Sequence, residues 1–136
     1  MKNLEEIRAF FAEDKYATEV TGIEIVEAGE HGYSKVKLKI DGRHKNAIGE
    51  VMGAVYYTMA DFAFAVATNS NPVYGNTVSL TSNIQYLHPA RTENMYATAK
   101  AVKKEGKTSV YNITITDDND SVIAVVTTTG YVIPFK

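Results

Sequence analysis

Apolar residues change their spacing along this chain, and each change marks an element. Leu4, Ile7, Phe10 and Phe11 recur at helical spacing with Glu5, Glu6 and Arg8 between them, which predicts a short amphipathic helix packed on the domain's edge. Thr18 to Glu27 is rich in Val, Ile and Thr and reads as a strand. Gly29-Glu30-His31-Gly32 reads as a turn. From Tyr33 to Ile40 the chain sets Tyr33, Val36, Leu38 and Ile40 against Lys35, Lys37 and Lys39, as the half-exposed strand of a hairpin does. Residues 41–51 form a polar loop containing glycine.

Met52 to Asn69 breaks the alternation. The segment is rich in Ala, has neither Gly nor Pro after Gly53, and is too long for an ordinary strand, so it predicts a helix. It is apolar on nearly every side, which predicts burial nearly all round. A loop follows over 70–76, and then alternation returns: Thr77 to Leu87, Met95 to Lys104, Ser109 to Thr116 and Ser121 to Ile133 read as strands. His88-Pro89-Ala90-Arg91 breaks the first pair; Glu105-Gly106-Lys107 and Asp117-Asp118-Asn119-Asp120 read as turns. The order is helix, two strands, long helix, four strands. It predicts one α+β domain over 1–136, with a curved antiparallel sheet of about six strands wrapped on a central helix. The sheet's far side and edges then need cover, which favours oligomers.

Composition narrows the chemistry. The chain has 136 residues, a formal charge of −2 with both signs dispersed, and no cysteine. Thiol catalysis, iron–sulfur clusters and cysteine-rich zinc sites are excluded. There is no basic stripe for nucleic acid, and the charged N-terminus lacks the apolar core of a signal peptide. The longest apolar stretch is shorter than the roughly 20 residues of a membrane span. The expectation is a soluble, cytoplasmic protein with no membrane or nucleic-acid partner.

Asp61 stands in the middle of the apolar helix. An isolated carboxylate there either finds a partner, such as a neighbouring loop or a buried Lys or Arg, or serves a site. The start of the same helix is also unusual. Ile48-Gly49-Glu50-Val51-Met52-Gly53-Ala54 offers no preferred capping residue directly before it. Water or the preceding loop satisfies its first N–H groups, or else they hold a carbonyl oxygen that gains negative charge, with Gly53 and Ala54 leaving room for it. Gly53 and Asp61 are eight residues apart, about 12 Å along one axis. One carbonyl centre cannot easily meet both within one helix, whereas two antiparallel copies bring Gly53 of one beside Asp61 of the other.

These residues carry a family pattern. His44 to Asn69 (HKNAIGEVMGAVYYTMADFAFAVATN) resembles the signature of PaaI-type hot-dog-fold acyl-CoA thioesterases: an Asn, a Gly, a His-Gly-Gly helix start, and an Asp eight residues beyond the first Gly of the triplet. Residues 76–90 (NTVSLTSNIQYLHPA) resemble that family's third strand and the turn after it. The resemblance implies thioester hydrolysis, with Asp61 as nucleophile or general base and the Gly53 N–H polarising the carbonyl. Asn46 would orient water or the acyl group, and Ser79 would support the attack. Met52, Ala54, Tyr57, Phe64 and Arg91 are the candidate substrate contacts. The resemblance further implies a homodimer, often paired into a tetramer, and coenzyme A as part of the substrate rather than a separate cofactor. Met52 replaces the family's His, and Ala54 replaces its second Gly. Methionine donates no hydrogen bond, so a non-catalytic acyl-CoA-binding module is the alternative, and a dehydratase of this fold, which needs a histidine beside the acid, ranks behind both.

Other groups have blander readings. His31, His44 and His88 lack metal-ligand spacing, so no metal is expected. His44 either lines the site or is a solvated loop residue. Asp117 to Asp120 lacks the glycine and closing glutamate of a calcium loop. Lys100, Lys103, Lys104 and Lys107, with Arg91, would suit coenzyme A phosphates or simply keep a strand end soluble. Tyr56, Tyr57, Phe62 and Phe64 line an acyl pocket or fill the core.

Overall fold

The computed structural model describes residues 2–29 and 32–136. Helix α1 (Leu4–Phe11) begins where Asn3 accepts the Glu6 N–H at 2.9 Å, and Glu5 and Glu6 sit at its positive end. It buries Ile7 and Phe11. Arg8 donates to the Ile25 carbonyl at 3.0 and 2.9 Å, which ties α1 to the sheet.

The next segment departs from expectation. Residues 18–21, read as strand, lie in a π-helical turn (Tyr16–Thr21) that ends at Gly22 with φ +90°. Tertiary hydrogen bonds overrule the β-branched propensity. Arg43 donates to the Glu19 and Val20 carbonyls at 3.1 and 3.0 Å, and His44 Nε2 meets the Thr21 carbonyl at 2.7 Å. Strand β1 therefore starts only at Ile23 (Ile23–Gly29) and pairs with β2 (Tyr33–Lys39). The predicted turn between them includes Glu30 and His31, which lie outside the described residues. A 3₁₀ turn (Gly42–His44) and a bridge between Lys45 and Val51 organise the loop before the long helix.

Helix α2 (Gly53–Asn69) is followed by β3 (Gly75–Tyr86), β4 (Asn94–Glu105), β5 (Thr108–Thr116) and β6 (Val122–Pro134). The six strands form one antiparallel sheet in the order β1-β2-β4-β5-β6-β3. At about 4.8 Å per strand such a sheet spans about 24 Å, over twice the width of a helix. All six strands nevertheless touch α2, so the sheet curls around it. Register shifts at Val26 in β1, Leu80 in β3 and Val102 in β4 are the bulges that let an antiparallel sheet bend.

The core lies between α2 and the inner sheet face: Met59, Ala63 and Val66 meet Val36, Leu38, Met95, Ile113 and Ile115, all fully buried or nearly so. Ser34 is buried too, and its hydroxyl donates to the Ala63 carbonyl at 2.6 Å. Phe64 lies edge-to-face on Tyr111 at 5.3 Å, above Gly130. Burial of α2 is nevertheless incomplete, against the expectation from its composition. Ala54, Tyr57 and Asp61 are exposed, and Thr58, Ala65 and Thr68 half-buried. Their spacing places them on one face of the helix, so a single chain leaves a stripe of α2 uncovered. Among the described residues, no helix is long and apolar enough to cross a membrane.

A Cβ at Gly130 would lie 2.8 Å from Phe64 Cζ, 2.8 Å from Ser109 Oγ and 2.9 Å from Thr77 Cγ2. Gly130→Ala is therefore expected to destabilise the fold by about 1–3 kcal/mol through overpacking, measured by chemical denaturation, with no loss in Ser109→Ala to match it.

Candidate active site

Two loops and one helix position the candidate residues. Met52 caps α2 without a side-chain bond. Its own N–H is held by the His44 carbonyl at 2.9 Å, and the Val55 N–H turns back to the Met52 carbonyl at 2.9 Å. The N–H groups of Gly53 and Ala54 then have no partner among the described residues and stand at the positive end of the helix dipole. The Tyr86 hydroxyl donates to the Gly53 carbonyl at 3.0 Å and sits 2.9 Å from where a Gly53 Cβ would lie. Tyr86 is held edge-to-face against Tyr56 at 5.4 Å, and Tyr56 Oη accepts the Ala90 N–H at 3.0 Å. Two tyrosines thus brace the first turn of α2, and neither role was legible from residue type alone.

Asn46 uses its side-chain oxygen on the Ile48 and Glu50 N–H groups, at 3.1 and 3.0 Å, so it shapes the loop before the helix. Its Nδ2 is left as a donor. Arg91, expected near phosphates, is paired with Glu50 and lashes the β3–β4 loop to that same loop. The guanidinium holds the Glu50 carboxyl below its ordinary range. His44 is neither solvated nor at the site. It is 3% exposed, with Nδ1 accepting the Asp41 N–H at 2.9 Å and Nε2 facing the Thr21 carbonyl, which makes Nε2 the protonated nitrogen.

Asp61 lies two turns into α2 on a separate cavity of about 270 Å³, shared with Asp14, Tyr16, Thr58 and Phe62. Gly53 lines a different one, of about 410 Å³, beside Tyr56, Tyr86 and His88. One chain therefore keeps the two residues apart. Solvent reaches Asp61, but its apolar surroundings strip water from the carboxylate, and with the nearby charge of Asp14 they raise its pKa above the ordinary value. Neither an ion pair nor a hydrogen bond holds that carboxylate among the described residues. The partnered alternative, an internal capping bond or buried ion pair, does not occur among the described residues.

Ser79 is exposed on β3, next to the bulge at Leu80, and β3 is an edge of the sheet. Asn69 covers that edge only at Thr77, bonding its N–H and carbonyl at 2.8 and 2.9 Å. Beyond it Val78 and Leu80 are 41% and 60% exposed. Among the candidate substrate contacts, Met52, Ala54 and Tyr57 lie on the uncovered side of α2. Phe64, Tyr56 and Phe62 are buried, Phe64 against Tyr111 and Tyr56 against Tyr86 of the sheet and Phe62 against Phe11 of α1. Asp14 was missed altogether: its distance in sequence from Asp61 gives no signal. Asp117 accepts the Asn119 and Ser121 N–H groups at 2.8 and 3.0 Å, as a hairpin turn requires. No cluster of three metal-ligating side chains occurs among the described residues.

Comparisons with known proteins bear on the family and the fold. The thioesterase superfamily model matches residues 48–124. A candidate esterase of Archaeoglobus fulgidus is 28% identical over 129 residues, covering 94% of this chain and 82% of that one. The fold is shared with a Haemophilus influenzae thioesterase (TM-score 0.87, 23% identity, 98% and 92% of the two chains). It is shared with the E. coli PaaI protein of the phenylacetic acid degradation operon (0.80, 24%, 96% of each chain). A Streptococcus mutans protein bound to acetyl CoA also has it (0.75, 22%, 84% and 90%).

Because the folded environment raises the Asp61 pKa, the charged carboxylate costs stability. The cost is absent below the unfolded-state pKa, where Asp61 is protonated in both states, and is complete above the folded-state pKa. Asp61→Asn is accordingly expected to melt at a higher temperature than the parent at pH 7 and at the same temperature at pH 3, by differential scanning calorimetry.

Proposed function

The chain belongs to the thioesterase superfamily, whose chemistry is the hydrolysis of thioester bonds, and on that premise we propose that it hydrolyses acyl-CoA thioesters in sites built by two copies of the chain. One observation carries the reading. Among the described residues, a carboxylate without a partner lies on the uncovered stripe of α2, and two unpaired N–H groups stand at the start of the same helix, too far along the axis to share a substrate with it.

A second copy resolves both features. Antiparallel α2 helices, packed through Ala54, Tyr57, Asp61 and Ala65, bring Gly53 of one beside Asp61 of the other. By symmetry each dimer then holds two sites. The uncovered part of β3, with Val78 and Leu80 exposed, suits the same interface. The thioester carbonyl oxygen takes the Gly53 and Ala54 N–H groups, which are positioned for the charge it gains on attack. Asp61 removes a proton from attacking water, or attacks the carbonyl carbon itself to give a mixed anhydride that water then cleaves to the free acid and Asp61, and either first step is aided by the raised basicity that desolvation gives it. The carbon–sulfur bond breaks and coenzyme A leaves as a thiolate, which needs little acid assistance. A site with Met52 in place of histidine is consistent with that. Asn46 Nδ2 and the Ser79 hydroxyl are the further polar groups offered to substrate or water. Tyr57 and Met52 would border the acyl group, small aryl or short to medium in length. The acetyl CoA held by the Streptococcus mutans relative in fold supports coenzyme A as the carrier.

Met52 favours a second reading, a domain that binds acyl-CoA without turnover. That reading predicts a raised melting temperature with acyl-CoA and no free thiol. Hydrolysis instead predicts thiol release from a panel of aryl and aliphatic acyl-CoAs, reduced about 10²–10⁴-fold by Asp61→Asn.

Subunit mixing tests the shared site. Proline is tolerated at the first position of a helix and lacks the N–H, so Gly53→Pro, made with Tyr86→Phe to clear the ring, removes one oxyanion donor. Alone, this variant and Asp61→Asn should each keep only a residual activity, about a hundredth of the parent's or less. Their co-expressed mixture should regain about a quarter of the parent activity, because half the dimers carry one intact site. A mixture as inactive as its components would overturn the intersubunit site.

A further inference from the structure

Asp61 does not face its cavity alone. Asp14 lines the same space of about 270 Å³, contributed by the connection between α1 and the π-helical turn. That connection is held firmly. Phe11 packs edge-to-face on Phe62, the residue after Asp61, at 6.0 Å. The Asp14 N–H bonds the Phe11 carbonyl at 2.9 Å, and the Asp14 carbonyl accepts the Ala17 and Thr18 N–H groups at 3.1 and 2.9 Å and the Thr18 hydroxyl at 3.1 Å. Its backbone is pinned on both sides, so the carboxylate is presented to the cavity by a rigid turn and not by a loose tail. No side-chain hydrogen bond or ion pair of Asp14 occurs among the described residues.

The geometry points to Asp14 as a positioning residue of the hydrolytic centre, acting through Asp61: a rigid turn holds its negative charge on the cavity that the Asp61 carboxylate also lines. This inference rests on the thioesterase reading above and adds a residue to it. The other groups around Asp61 do not cancel the effect. Lys15 lines the cavity but turns its ammonium to Glu19 at 3.2 Å. Tyr16 and Thr58 are neutral, and so are Ala54, Tyr57, Ala65 and Thr68 on the same stripe of α2. Behind the helix, the buried sheet face offers Ser34, Thr128 and Tyr111 among apolar side chains, with no charge. Burial acts on Asp14 in the same sense as on Asp61, raising both above the ordinary carboxylate value. Two carboxylates that share one cavity resist carrying two charges at once, and the proton is held more tightly by the pair than by either alone.

The sign of the expected effect follows. Asp61 acts as the anion, so its protonation forms the acid limb of kcat/KM. Removing the Asp14 charge eases ionisation of Asp61, which moves that limb to lower pH, and a less basic carboxylate lowers the plateau. The test compares the parent, Asp14→Asn, Asp14→Glu and Glu13→Gln, in pH–rate profiles on one hydrolysed acyl-CoA and in carbon-13 NMR titrations of the Asp61 carboxyl. Asp14→Asn should shift both the limb and the titration to lower pH and reduce the plateau. Asp14→Glu should restore all three toward the parent, and Glu13→Gln, which removes a charge from the same connection but away from the cavity, should leave them in place. An Asp61 titration unmoved by Asp14→Asn would overturn the inference, as would a moved titration with an unmoved rate limb. A parent that hydrolyses no thioester would instead bring down the functional reading beneath it, and the NMR titration separates the two failures.

Discussion

A helix that is apolar around nearly its whole circumference must find cover on nearly every side, and the rest of this molecule answers that demand. The sheet curls until all six strands touch α2, and bulges supply the bending. Even so, one stripe from Ala54 through Tyr57 and Asp61 stays open. Leaving such a stripe in water forfeits roughly 25 cal/mol for every Å² of apolar surface. A carboxylate on it that no ion pair holds among the described residues is the least favourable residue that packing alone would choose. The same stripe is therefore the place for a partner and for chemistry, and one constraint accounts for both.

The loops around α2 serve the same end. The helix starts without a side-chain cap, and everything nearby holds that start in place without occupying it. The His44 carbonyl takes the Met52 N–H, Tyr86 takes the Gly53 carbonyl, and Arg91 ties Glu50 to the next strand's approach. His44 and Arg43 also close the π-helical turn, so the connection bearing Asp14 and the loop bearing Asn46 are stitched to each other. Donors meant for a carbonyl oxygen need this kind of support, because a displaced N–H loses its directional bond. Desolvation does the complementary work at Asp61, where it raises the basicity of the carboxylate above the ordinary value.

Where local pattern was strong, expectation and structure agree closely. The alternation in β2, β4, β5 and β6 and the length of α2 marked those elements to within a residue or two. The π-helical turn was illegible because Val20 and Thr21 favour a strand locally, and the bonds that bend them come from Arg43 and His44, over twenty residues away. Phe64 and Tyr57 belong to one aromatic-rich helix, yet the first packs on Tyr111 and the second faces outward. Composition cannot distinguish two sides of a helix that is apolar on both.

The sequence by itself determined the α+β order, the anomaly of a lone acid in an apolar helix and the want of a cap at its start, because each follows from residue type and spacing along one element. Eight intervening residues even sufficed to separate Gly53 from Asp61 in space, since the rise of a helix is invariant. Only the tertiary structure decided which stripe of α2 stays open, that Tyr86 and Arg91 brace the helix start, and that Asp14 stands across from Asp61. Those depend on how far a sheet curls and where distant loops are bonded, and neither is written in any local pattern.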